Sequence, residues 1–91
     1  IDYIKNAIIN DNFSVAKKQS NELEKSWKNI KDSWNIFVQN DLTDEIEDSL
    51  LILKSYIENE EKVESIVHTE ILKANIKDIV KRQKVKFENV F

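Results

Sequence analysis

The side chains able to do chemistry are few and scattered. His68 is the only histidine; Glu64 lies four residues before it and Glu61 a turn further back. On a helix these share one side, and a histidine with carboxylates can hold a metal weakly. A catalytic zinc site requires three protein ligands, each oriented by its own hydrogen-bond partner. No second cluster supplies them, so a solvated or boundary histidine is expected, with no metal and no cofactor. Cysteine is absent, which removes thiol nucleophiles, thiolate metal sites and disulfides. Glycine is absent too, which removes every phosphate-cradling loop. Serines and aspartates occur without the context of a nucleophile. No catalytic residue is assigned, and the chain is expected not to be an enzyme.

Three other features have a binding reading beside a plainer one. Trp27 and Trp34 lie two helical turns apart, as a stacking platform for a sugar or peptide would, or as large core residues. The apolar stripe continues around them, which favours the core. Lys77, Lys81, Arg82, Lys84 and Lys86 form a basic run able to touch phosphates or anionic lipid. It lacks the arginines and interleaved aromatics of a nucleic-acid reader, the net charge is -3, and cations suit a helix C-terminus. No nucleic-acid partner is expected. The end of the chain carries Phe87, Val90 and Phe91, the candidate interaction residues. Folded back on the body, each recovers about 1.5–3 kcal/mol by burial, against roughly 1–2 kcal/mol of backbone entropy per ordered residue. The tail is therefore either a structural cover or a displayed docking peptide.

The elements that position these residues are helical. With Gly 0 and Pro 0 in 91 residues, the chain lacks the turn chemistry of a β fold. Its 41% apolar and 34% charged content suits one soluble domain over 1–91. Phe13, Ala16, Ser20, Leu23, Trp27, Ile30, Trp34 and Phe37 are spaced 3, 4, 3, 4, 3, 4, 3. That heptad rhythm keeps one face of a helix over 12–39, roughly 40 Å long, toward partners. A short amphipathic segment over 1–9 carries Ile1, Ile4, Ile8 and Ile9 and ends at Asn10-Asp11-Asn12, where Asp11 or Asn12 can cap the long helix.

Asn40-Asp41 is read as the next break, with Asn40 in the left-handed conformation that closes a helix. Asp41 or Thr43 would cap a helix over 43–58, with Asp44 and Glu45 in its first turn. Its stripe is Leu42, Ile46, Leu50, Leu53 and Ile57. After a turn at Asn59, a last helix over 60–82 presents Val63, Ile66, Thr69, Leu72, Ile76 and Ile79 inward, and a tail follows over 83–91. The fold expected is all-α: an antiparallel up-down-up three-helix bundle with a short N-terminal helical segment and an apolar C-terminal tail. Residues 41–70 hold ten acids against two lysines, and 71–91 hold six basic residues against two acids, which fits charge pairing between neighbouring helices.

The Trp27/Trp34 pair, Ile46-Glu47, the acidic turn Asn59-Glu60-Glu61, the Leu72, Ile76, Ile79 stripe and the ending Phe87-Glu88-Asn89-Val90-Phe91 together resemble the bacterial domain of unknown function 4363 family. The chain departs from some members at Asn40, where they carry His, so no site is carried over there. The resemblance implies a small protein of Gram-positive bacteria, with a helical domain outside the membrane tethered by an N-terminal segment that would precede Ile1. The family has no established activity, so the resemblance bears on architecture and location; the function expected for the chain is a non-enzymatic structural or interaction module. Its partner would be an unknown protein or cell-envelope component, and it would be a monomer or weak oligomer. The alternative is a small ligand carrier or enzyme with a site between helices, which an enclosed apolar pocket of several hundred Å3 would mark.

Overall fold

The computed structural model describes residues 1–34 and 40–83, with side chains over 1–32 and 43–81. Their secondary structure is entirely helical: α1 (Asp2–Ile9), α2 (Phe13–Trp34), α3 (Asn40–Glu58) and α4 (Lys62–Gln83). α1 packs on α2 and α4, and α3 packs on the same two helices, which closes a ring of four. The molecule is a rod of 38 × 19 × 18 Å. A 22-residue helix such as α2 or α4 runs about 33 Å, nearly its whole length. No helix of the described residues is long and apolar enough to cross a membrane.

The buried positions follow one rule in every helix. They are Ile1, Ile4 and Ile8 in α1 and its start; Ala16, Ser20, Leu23 and Trp27 in α2; Thr43, Ile46, Leu50, Leu53 and Ile57 in α3; and Ser65, Thr69, Leu72, Ile76 and Ile79 in α4. Steps of three and four alternate throughout, the spacing of helices that interlock along a continuous seam. Phe13, Ile30 and Ile66 pack half-buried against this core.

Ion pairs fix the register and direction of neighbours. Lys31–Glu47 at 2.8 Å and Lys54–Glu24 at 2.9 Å set α2 antiparallel to α3. Asp2–Lys73 at 2.9 Å and Lys5–Glu70 at 2.8 Å set α1 antiparallel to α4. Asn75 Nδ2 donates to Ser49 Oγ at 2.8 Å, and Tyr56 stacks on His68 lower down the same antiparallel seam between α3 and α4. In that register Ile8, Ser20, Ile57 and Ser65 share a level, and Trp27 stands level with Asp2. Past that level the described bundle has three walls rather than four.

Two tight turns close without glycine. At the end of α1, Asn12 N–H donates to Ala7 O at 2.8 Å and Asp11 N–H to Ile8 O at 3.0 Å, with Asp11 at φ 58°. At the end of α3, Glu61 N–H donates to Tyr56 O and Glu60 N–H to Ile57 O, both at 3.0 Å, with Glu60 at φ 54°. Each is a Schellman closure, in which the left-handed residue lets two amides cover the last carbonyls. Asn12 then caps α2: its Oδ1 accepts from Val15 N–H at 3.4 Å.

Several expectations are corrected. The N-terminal segment is a full wall of the core, with Ile4 and Ile8 at 0% exposure, although Ile9 faces out. Asn40 opens α3 instead of ending the helix before it, so Asp44 and Glu45 lie in the second turn. Thr43 is a buried core residue within α3, not a cap. Val63 is exposed, and Ser65 takes the inward position two residues on, because the α4 stripe runs through 65, 69, 72, 76 and 79.

Candidate functional site

Most of the charged side chains that bridge helices serve the bundle. The Asp2 carboxyl is pulled below its usual range by the hydrogen bond from Lys73, that of Glu70 by the one from Lys5, and that of Glu24 by the one from Lys54. The Lys31 ammonium is pushed up by its bond to Glu47. In each case the partner lies on a neighbouring helix, so the shift records packing.

His68 is half-buried on α4, its ring stacked on Tyr56 with centroids 4.9 Å apart and planes 25° from parallel. Glu61 and Glu64 are exposed. Among the described residues no group of three His, Asp or Glu side chains is placed to hold a metal. Trp27 is 1% exposed at the level where α1 begins. The side chain of Trp34, Phe37, the side chain of Arg82, and Lys84, Lys86, Phe87, Val90 and Phe91 lie outside the described residues. Lys77 and Lys81 are exposed.

Of the expected core, Leu23, Trp27, Ile46, Leu50, Leu53, Ile57, Leu72, Ile76 and Ile79 are buried, and Phe13, Ile30 and Ile66 partly so. Among the described residues, two surface features bear most on binding. A cleft of about 260 Å3 opens between α2 and α3, lined by the apolar Trp27, Leu50 and Leu51 and by the charged Glu24, Lys28, Glu47 and Asp48. The second is the outer side of α4, where Val63, Val67 and Ile71 are exposed. Their spacing of four residues was visible in the sequence, but the competing inner stripe of the same helix absorbed Val63.

Such an arrangement, with apolar heptad layers inside and ion pairs across the seams, defines a helical bundle. The chain belongs to the family described as domain of unknown function (DUF4363), whose model matches residues 1–90. No curated protein and no solved structure matches it.

Proposed function

We propose that the chain is a non-enzymatic helical interaction or structural module. It is held on the outer side of a membrane by a segment outside the described helices, and it engages a protein or a cell-envelope component. One observation carries the non-enzymatic part: the side chains best able to do acid–base work are committed to holding helices together. Glu24, Glu47, Glu70 and Asp2 each accept from a lysine of another helix, and the one histidine lies stacked against Tyr56. The tether rests on the family resemblance.

Reporter fusions to the full gene product test the location: alkaline phosphatase joined after residue 91 is active if the domain lies outside, and a cytoplasmic reporter at the same point is not. The reverse pattern refutes the outer location. Thermal melting with and without zinc tests the chemistry. No shift is expected, and a shift abolished by His68→Ala would overturn the non-metal reading. The cleft beside Trp27 is the place a small-molecule carrier would use. At about 260 Å3 and open to solvent, it falls below the usual ligand-site range of about 300–1,000 Å3, which leaves the carrier reading second.

A further inference from the structure

We draw no further inference here: the strongest candidate, the exposed strip of Val63, Val67 and Ile71 on the outer side of α4, is an unpartnered apolar face, and nothing in the structure shows what covers it.

Discussion

Replacing Glu60 by glycine should stabilise the protein. Glu60 closes α3 at φ 54°, a conformation that brings Cβ close to the following carbonyl and costs a non-glycine residue about 1–2 kcal/mol. Glycine removes that cost, but its greater freedom in the unfolded chain returns about 0.5–1 kcal/mol. The substitution also removes the Lys17–Glu60 pair, which is 3.7 Å long with the Glu60 side chain 59% exposed, and such a pair contributes little. The net gain is about 0.5–1 kcal/mol. With an unfolding entropy of about 2.1 cal/mol/K per residue, that raises Tm by about 3–5 °C in a chain of this length.

Asp11, at φ 58°, should gain less as glycine, because aspartate visits this region more readily. Asn59→Gly is the internal control. Asn59 is not at positive φ, and its Nδ2 donates to Ser55 O at 2.9 Å, so that variant should lose stability. Circular dichroism melts and urea midpoints, taken at low protein concentration, measure all three. A Glu60→Gly variant that melts below wild type, or an Asn59→Gly variant that gains as much, would refute the account of the turn.

Trp27→Ala should destabilise by about 3–5 kcal/mol in urea unfolding, the range for deleting a buried aromatic ring; a loss under ~1 kcal/mol would place the ring outside the core. Ser65 is fully buried and its hydroxyl meets no acceptor among the described residues, so Ser65→Ala should raise stability by about 1 kcal/mol, and a clear loss would show an unrecognised partner. Glu24 is held below its ordinary value of 4.5 by the Lys54 hydrogen bond. Its contribution is therefore full above about pH 4.5 and disappears as pH falls through the folded value. The acid limb of a stability–pH curve should be shallower in Glu24→Gln, and identical limbs would contradict the pairing.

The helical class, the Phe13–Trp27 stripe and the Ile46–Ile57 part of the α3 stripe were legible because one face of each helix is apolar and the other polar; the Leu42 side chain lies outside the described residues. Three things were not. The α1 segment was too short for its period to claim a place in the core; only packing on both α2 and α4 shows that Ile4 and Ile8 form a wall. The start of α3 was hidden because Asn40-Asp41 resembles a helix stop, and Thr43 a cap, although both roles lie open to tertiary context. The left-handed residues were sought at asparagine, and the structure uses Asp11 and Glu60. Of the candidate sites, the sequence exposed the residues of the outer α4 strip but not their shared face, since that depends on which of two apolar stripes turns inward.

That choice has a physical cause in the neighbouring helices. Left to its own pattern, the first half of α4 would turn Val63, Ile66 and Thr69 toward the core and leave Ser65 in water. But α1 brings Ile4 and Ile8 to that end of the bundle, and α3 brings Leu53 and Ile57, all at 0% exposure. The space left beside four branched side chains admits only small groups. Inserting valines there would overpack the layer, at a typical cost of about 1–3 kcal/mol. Ser65 and Thr69 fit, and Thr69 satisfies its hydroxyl by donating to Ser65 O at 2.7 Å within its own helix. Ala16 and Ser20 play the same part on α2, where Ser20 Oγ donates to Lys17 O at 2.9 Å. The bonds of Lys5 to Glu70 and of Asn75 to Ser49 then hold α4 in that rotation from both sides. The bulk of α1 and α3 thus dictates hydroxyls inside α4, and the valines displaced from the core, Val63 and Val67, are left exposed on its outer side.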